Sequence, residues 1–170
     1  ATPLHMAVDS RTLVPSQCRA NVVELLLNSG ANATAVTKSG TSSLGFAARN
    51  GNVDACRLLL QAGAPLDESH EENKHNAVMS ALCAERSEVV RFLLNVGASV
   101  NKRINHGITL LHMAVLQVVP ILLDAGAKMD VLDDDDNVPL CCCEGADHGA
   151  TPCELLLAEG TQLALGALQV

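Results

Sequence analysis

An apolar triplet followed three residues later by a glycine occurs five times along this chain. The triplets lie at residues 25–27, 58–60, 92–94, 121–123 and 155–157, and the glycines are Gly30, Gly63, Gly97, Gly126 and Gly160. Successive glycines are 33, 34, 29 and 34 residues apart. A period near 33 residues is typical of a stack of similar units, and it argues against a single irregular globule.

Each triplet is predicted to lie near the end of a short helix. In the second unit, Cys56, Leu59 and Leu60 follow three and four residues apart before Gly63, which places them on one helical face. The glycine can adopt the left-handed backbone conformation that closes a helix. Such helices are about 12 to 15 Å long at about 1.5 Å per residue, too short to be stable alone. The units must therefore stabilise one another by stacking.

A tight turn is predicted ten residues after each closing glycine. Two units have Gly40 and Gly107 there, and two others have Asn73 and Asp136. These residue types tolerate a positive φ better than most. After each turn a shorter helix is expected, which is the first helix of its unit, and the helix with the triplet is the second. A unit is thus a helical hairpin plus a projecting turn.

Three segments resemble ankyrin repeats: TPLHMA at 2–7, TLLHMA at 109–114 and SSLGFAARNGNVDACRLLLQAGAPLD at 42–67. The resemblance covers nearly the whole chain. It implies an all-α, ankyrin-type helical solenoid of about five helix-turn-helix repeats with projecting hairpin turns. The approximate units are 1–34, 35–67, 68–101, 102–130 and 131–160, with a C-terminal tail or capping segment at 161–170. Members of this family usually bind proteins on the concave face and rarely catalyse reactions.

Two units depart from the regular length. About seven extra residues lie around 9–17, and Pro15 and Ser16 favour a loop between the two helices, either a neutral insertion or a contact loop. The fourth unit is four residues shorter than the second. Either it is distorted or residues are absent near 116–118, and the sequence favours absence. Pro120 must then lie in the first turn of its helix, where a missing N–H costs little.

The charge and cysteine content limit the function classes. With 11 basic against 19 acidic residues, the net charge of -8 disfavours binding to phosphate backbones. No apolar run is long enough to span a membrane. Seven cysteines fit reduced thiols better than a disulfide framework, which predicts an intracellular protein, cytoplasmic or nuclear. The absence of an initiating Met suggests a fragment of a longer chain.

No pattern of catalytic or metal-binding residues is found, so we expect no cofactor and no enzymatic activity. The resemblance implies that His5 and His112 form hydrogen bonds within and between turns. The corresponding positions in other units are Gly45, Val78 and Cys141, which leaves no row of histidines. No histidine has the partners of a catalytic triad.

The cluster of Cys141, Cys142, Cys143, His148 and Cys153 has zinc-ligand chemistry, but its spacing argues against a zinc site. Three consecutive residues on a helix point about 100 degrees apart and cannot all face one ion. We expect these cysteines to act as small apolar packing residues, with a redox or metal sensor as the weaker alternative.

Two turn positions have alternative interpretations. Residues 133–136 are four aspartates without the spacing of a calcium loop, so a solvated tip is favoured over a dedicated site for a basic partner. Asn101 resembles the turn asparagine that is hydroxylated in some family members, although plain turn chemistry is favoured.

The resemblance places partner contacts on the turn tips and on the exposed side of each first helix. The predicted contact residues are Lys38, Ser39, Thr41, Arg49, Asn50, Glu71, Glu72, Lys74, Asn105, His106, Ile108, Asp134, Asp135 and Asn137. Leu82, Cys83, Leu116 and Gln117 lie on the same first-helix surface. The charge of this row changes sign along the chain, which predicts a protein partner of mixed polarity.

Two functional hypotheses follow. The first is a non-catalytic scaffold or adaptor module that binds a partner protein through the concave face and the hairpin tips. The alternative is a regulatory or substrate-recruiting domain of a larger enzyme. No nucleic acid, membrane insertion or small-molecule substrate is expected.

Overall fold

The computed structural model describes residues 2–8, 16–68, 76–114 and 117–139. Within these ranges the chain is helical, with an isolated β-bridge between Val36 and Ser42 as its extended pairing. The α-helices are α1 Pro3–Val8, α2 Ser16–Asn28, α3 Ser43–Arg49, α4 Val53–Gln61, α5 Ala77–Cys83, α6 Ser87–Asn95 and α7 Val119–Asp124. The predicted all-α class is confirmed.

Four of the five predicted helix ends are confirmed, and the fifth, at residues 155–157, lies outside the described residues. The four triplets lie in the last turns of α2, α4, α6 and α7, and the glycine that follows each has φ between 83° and 102°. After α4, the N–H of Gly63 donates to the Leu60 carbonyl at 3.0 Å, and the N–H of Ala64 donates to the Leu59 carbonyl at 2.9 Å. These two bonds form a Schellman motif, which satisfies carbonyls that the end of a helix leaves free.

The helices stack in two rows. The first helices α1, α3 and α5 pack in sequence, and the second helices α2, α4, α6 and α7 pack beside them. The helices α3 and α5 pack together, and Ala47 of α3 and Ala81 of α5 are both fully buried. Such small side chains allow two helices to approach closely. Leu59, Leu93 and Leu122 are fully buried at the same position of successive second helices. One apolar core therefore runs along the stack, as the predicted solenoid requires.

The extra residues of the first unit lie between its two helices, as predicted, because α1 ends at Val8 and α2 begins at Ser16. The prediction that Ser16 and Gln17 belong to the loop is wrong, since both are in the first turn of α2. Residues 9–15 lie outside the described ranges.

The fourth unit is distorted. Its first helix is reduced to a 3-10 turn, Leu111–Met113, and its second, α7, has six residues. Pro120 lies in the first turn of α7, as predicted, where the missing N–H breaks no helical hydrogen bond. The absence of residues near 116–118 stays a prediction.

The fifth unit is described only as far as Pro139. The predictions for Cys141, Cys142, Cys143, His148 and Cys153 fall outside the described residues, as do those for 161–170. The boundaries proposed for the five units also stay a prediction.

Candidate partner-binding surface

Three projecting turns share one hydrogen-bond pattern. In each, an N–H donates to the carbonyl four residues later, and the fourth residue of the turn has a positive φ. The bonds are Thr37 to Thr41 at 3.0 Å, Ile104 to Ile108 at 2.8 Å and Asp133 to Asn137 at 3.0 Å. The fourth residues are Gly40, Gly107 and Asp136, with φ of 70°, 70° and 63°. The recurring tight turn is therefore confirmed at three of the four predicted positions, whereas the one predicted at Asn73 lies outside the described residues.

Side chains inside two of these turns hold them closed. The Thr37 hydroxyl accepts from the Thr41 N–H at 3.1 Å. The Asp133 carboxylate accepts from the N–H groups of Asp135 and Asn137, each at 2.9 Å. These bonds to Asn137 and Asp135 lower the pKa of Asp133, because they favour its charged form.

The prediction that residues 133–136 all form a solvated tip is wrong for Asp133. Asp133 is only 9% exposed, whereas Asp134, Asp135 and Asp136 are exposed. Asp133 is thus a structural residue of the turn, and the three following aspartates form its solvated surface. An aspartate that bonds the N–H two residues later is common turn chemistry, which is the signal that could have identified it.

His5 links the first unit to the second. Its Nδ1 accepts from the N–H and the hydroxyl of Thr2, at 3.2 and 2.7 Å, so the proton lies on Nε2, which donates to the Thr41 carbonyl at 3.3 Å. The ring is buried, and this burial lowers its pKa although the bond to Thr41 opposes the shift.

His112 repeats the arrangement in the fourth unit. Its Nδ1 accepts from the N–H and the hydroxyl of Thr109, at 3.0 and 2.8 Å, and its Nε2 donates to the Asn137 carbonyl at 3.2 Å. The structural function that the resemblance implied for the two histidines is confirmed. Both imidazoles have their ring nitrogens occupied by the scaffold.

One position in the histidine comparison was wrong. The side chains of Ser42 and Asn76 cap α3 and α5 by accepting from the N–H three residues later, which belongs to Gly45 and Met79. The residue that corresponds to His5 in the third unit is therefore Met79 and not Val78. The third unit has one more residue than the second between its preceding closing glycine and its cap.

Most of the described contact residues face solvent. The exposed ones are Lys38, Ser39, Arg49, Asn105, His106, Asp134 and Asp135. Those that are partly buried are Thr41, Asn50, Ile108 and Asn137. Glu71, Glu72, Lys74 and Leu116 lie outside the described residues, and Cys83 and Gln117 are exposed. The prediction for Leu82 is wrong, because this side chain is 3% exposed and packs in the core.

The partly buried polar residues are used inside the stack. The Thr41 carbonyl accepts from His5, and the Asn50 side-chain amide donates to the Val8 carbonyl. Asn137 bonds Asp133 through its N–H and side chain. The exposed residues are therefore the better candidates for partner contacts.

The last two described tips lie side by side. The Asp134 N–H donates to the His106 carbonyl at 2.9 Å, and the Asp134 carboxylate forms an ion pair with Arg103 at 3.3 Å. A Cβ added at Gly107 would collide with both Arg103 and Asp134. The structure thus brings the predicted contacts Asn105, His106 and Asp134 into one surface.

Sequence reasoning missed Arg103, although opposite charges 31 residues apart, close to one repeat, were a usable signal. It also missed Arg86, whose Nε donates to the Arg49 carbonyl at 3.3 Å. Arg49 lies near Cys83 of the next first helix, where its charge opposes the rise in the pKa of that thiol caused by partial desolvation. These residues continue the surface onto the first helices.

Side chains also connect the ends of consecutive second helices. The Asp67 carboxylate accepts from the N–H and hydroxyl of Ser99, at 3.0 and 2.7 Å. One unit later, Asn101 accepts from the Lys128 N–H at 2.8 Å and donates to the Gly126 carbonyl at 2.9 Å. Asn101 therefore has a structural function in the turn.

The junction between the first unit and the second lacks the corresponding hydrogen bond. Ser99 and Lys128 each lie two residues after a closing glycine, and the residue two positions after Gly63 is Pro65, which has no N–H to donate. Thr34, which corresponds to Asp67, forms its hydrogen bonds with Asn32 of its own unit instead.

No cluster of histidine, cysteine, aspartate or glutamate with the geometry of a metal site occurs in the ranges that the structure describes. In the same ranges, no helix has the length and apolar character needed to cross a membrane.

The comparison with protein families decides the identity of the stack. A family model for ankyrin repeats, containing three copies, matches residues 4–104 and again 44–133. The chain belongs to the ankyrin repeat family. Ankyrin repeats are generally protein–protein interaction modules, and domains built from them are typically non-catalytic.

Three curated relatives illustrate the range of ankyrin repeat proteins similar to this chain. A putative ankyrin repeat-containing protein of Treponema pallidum is 32% identical over 64% of the chain and 38% of its own length. The ankyrin repeat and KH domain-containing protein mask-1 of Caenorhabditis elegans is 34% identical over 76% of the chain and 5% of its own length. The nuclear factor NF-kappa-B p105 subunit of Gallus gallus is 34% identical over 82% of the chain and 14% of its own length. This chain thus spans only a part of the length of each relative.

Proposed function

We propose that this chain is a non-catalytic scaffold or adaptor module that binds a partner protein of mixed polarity through its turn tips and first helices. The observation that carries the proposal is the opposite charge of the exposed residues at two places along the stack. Lys38 and Arg49 are exposed at the second unit, and Asp134 and Asp135 are exposed at the last described tip. A partner with acidic and basic groups at a matching separation would be favoured at both ends.

The turns support this function because they are already ordered. Their internal hydrogen bonds and the His5 and His112 bonds fix the tips before a partner arrives. Binding then costs less ordering of the surface than it would for a flexible loop. The chain has no Trp or Tyr, so the aromatic side chains that often anchor an interface would come from the partner.

The net charge of -8 favours a protein partner over a nucleic acid. We also propose an intracellular location, in the cytoplasm or the nucleus. The described cysteines Cys18, Cys56 and Cys83 are free thiols, which persist in a reducing compartment. Thiol labelling of the protein directly after cell lysis would test this location, since extensive oxidation would contradict it.

The partner proposal is tested by reversing charge at each end of the surface. A partner recovered by pull-down and identified by mass spectrometry is titrated by calorimetry with the wild-type chain, Arg49→Glu and Asp135→Lys. We expect each substitution to weaken binding by about tenfold, because each removes one favourable charge contact and adds repulsion. The circular dichroism spectrum should stay unchanged, since both side chains are exposed.

Arg91→Glu is the matched control for Arg49→Glu, because Arg91 is an exposed arginine on a second helix and both substitutions change the net charge by the same amount. It should leave the affinity within about twofold. Equal weakening by Arg91→Glu would show a general charge effect and contradict the proposed surface. Weakening by only one of the two surface variants would contradict a partner of mixed polarity.

A further inference from the structure

Asn50 is the only asparagine of this sequence that is followed by a glycine. An asparagine loses its side-chain amide most readily in this pair, because the glycine has no Cβ to hinder attack by its own nitrogen on the neighbouring side chain. The pair lies in the loop between α3 and α4, where Asn50 directly follows α3 and Gly51 has φ of 75°. The sequence thus places a reactive amide in a loop of the second unit.

The Asn50 side chain also connects the second unit to the first. Its Nδ2 donates a hydrogen bond to the carbonyl of Val8, the last residue of α1. A carbonyl at the end of a helix has no partner within that helix, and the Asn50 amide supplies one. Val8 is buried and Asn50 is partly buried, so water competes little for this bond. Loss of the Asn50 amide nitrogen would therefore remove a contact between the two units.

The folded loop holds Asn50 in an unreactive conformation. The Gly51 nitrogen reaches Cγ of Asn50 only when it is nearly eclipsed with Cβ about the Cα–C bond. With ψ of -2°, it is eclipsed with the backbone nitrogen of Asn50 instead. Because the peptide unit is planar, only rotation about the Cα–C bond could move it towards Cβ. Two hydrogen bonds oppose this rotation. The Gly51 N–H donates to the Ala48 carbonyl at 3.1 Å, and the next N–H, of Asn52, donates to the Ala47 carbonyl at 3.1 Å.

We infer that Asn50 is a site of spontaneous deamidation, and that the product weakens the attachment of the first unit to the second. The Gly51 nitrogen, after losing its proton to solvent, attacks Cγ of Asn50. A C–N bond forms and closes a cyclic imide, while the bond from Cγ to Nδ2 breaks and ammonia leaves with a proton from water. Water then hydrolyses either C–N bond of the imide, so residue 50 becomes aspartate or isoaspartate. The net reaction consumes water and releases ammonia.

Both products disrupt the contact with Val8. An ionised carboxylate only accepts hydrogen bonds, so it faces the Val8 carbonyl as a second acceptor and the two repel each other. Isoaspartate also adds a methylene group to the backbone, which displaces the N–H groups of Gly51 and Asn52 from their acceptors on α3. Because the loop must open before the amide reacts, the modified fraction increases with the time that the loop spends open. The reaction involves none of the turn tips and does not require the proposed partner binding.

The reaction is tested by incubating the chain at mildly alkaline pH, in buffer and in urea, and digesting it with trypsin. Cleavage after Arg49 and Arg57 gives a peptide of residues 50–57, in which mass spectrometry detects the replacement of the amide by a carboxylate. We expect the reaction to be about tenfold faster or more in urea, because only the open loop reaches the reactive conformation. In urea, Gly51→Ala should slow it several-fold, since the new Cβ hinders the attack. Equal rates in buffer and urea, no product at Asn50 in urea, or an unchanged rate for Gly51→Ala would overturn the inference.

The weaker attachment is tested with Asn50→Asp, which contains one of the products from the start. Hydrogen exchange measured by mass spectrometry compares the amides of α2, in the first unit, with those of α6. We expect α2 to exchange about tenfold faster relative to α6 than in the wild-type chain, because the first unit opens more often. Asn105→Asp is the matched control, since it makes the same change at an exposed turn residue, and it should leave both helices unchanged. Unchanged exchange of α2 in Asn50→Asp, equal acceleration in α2 and α6, or the same effect of Asn105→Asp would overturn the inference.

Discussion

The second and third helical pairs have matching cores and different loops between their helices. Leu59 of α4 and Leu93 of α6 occupy the same position and are both fully buried. The two loops also follow the same backbone path, because the residue before each second helix donates its N–H to the carbonyl of Ala47 or Ala81, at 3.1 and 2.9 Å.

The residues in the two loops differ at the position that needs a positive φ and at the position that caps the second helix. The second pair has Gly51, with φ of 75°, followed by Asn52, whose side chain caps α4 by accepting from the Ala55 N–H at 3.0 Å. The third pair has Glu85, with φ of 56°, followed by Arg86, which forms no side-chain cap. Helix packing therefore sets the loop path even where the residues do not favour it, at a cost in stability.

Arg86 offsets part of this cost through the neighbouring loop. Its side chain lies against Gly51, and its Nε donates to the Arg49 carbonyl at 3.3 Å. The third pair thus replaces a bond within its own loop by a bond to the second pair. Interactions between units compensate for poor local preferences in a way that an isolated helical hairpin could not.

The largest expected effect tests the similarity of the cores. Leu59→Asp and Leu93→Asp should each destabilise the chain by about 4 kcal/mol or more, because each buries a carboxylate without a partner. Thermal unfolding followed by circular dichroism should show a loss of the cooperative transition in both variants. Leu59→Met is the control, with an expected loss below about 1.5 kcal/mol. A wild-type melting curve for either aspartate variant would contradict the shared core.

A smaller effect should distinguish the loops. Gly51→Ala should lower the free energy of unfolding by about 1 to 2 kcal/mol, because a side chain is disfavoured at positive φ and the new Cβ meets Arg86 at 3.0 Å. Glu85→Ala should change it by less than about 0.5 kcal/mol, since a Cβ is already present there. Urea unfolding of both variants would measure the difference. Equal effects would mean that the loops do not differ as described.

The reverse change should stabilise the third pair. Glu85→Gly removes the strained Cβ, and the gain is reduced by the greater freedom of glycine in the unfolded chain. We expect a net increase of about 0.5 to 1 kcal/mol in the free energy of unfolding, measured by urea titration. Asp54→Gly, at an exposed helical site of the second pair, should instead destabilise. A loss of stability in Glu85→Gly would disprove the strain.

The smallest expected effect is the pH dependence of stability that comes from His5. The second and third pairs have Gly45 and Met79 at the corresponding position. Burial lowers the pKa of His5 in the folded chain below its ordinary value of 6.5. As the pH falls through 6.5, the unfolded chain takes up the proton first, so stability should be complete above this pH and decrease below it. Urea unfolding at pH 7.5 and at lower pH would measure this slope. His5→Gln should reduce the slope, and an unchanged slope would exclude His5 as its source.

Features that repeat in the sequence could be predicted. Features that depend on packing between units, and are unfavourable locally, could not. The triplets with Gly63 and its equivalents determine helix ends, because few residues other than glycine close a helix in this way. The left-handed Glu85 has no such signal, since its conformation is imposed by the packing of α5 and α6. Leu82 was wrongly placed on the surface because the position of α5 depended on residues before Asn76, where the unit is one residue longer. The exposed tips could be located, whereas the pairing of Arg103 with Asp134 required the fold.

Pro65 has a consequence for how the stack comes apart. Asp67 and Asn101 form hydrogen bonds that connect the third unit to the second and the fourth unit to the third. Pro65 has no N–H, so the corresponding bond is missing between the first unit and the second. Opening should therefore begin at that end, with backbone amides of α2 exchanging their hydrogens for deuterium before those of α4 and α6. A proline in a loop would in this way set the sequence in which the helices fray.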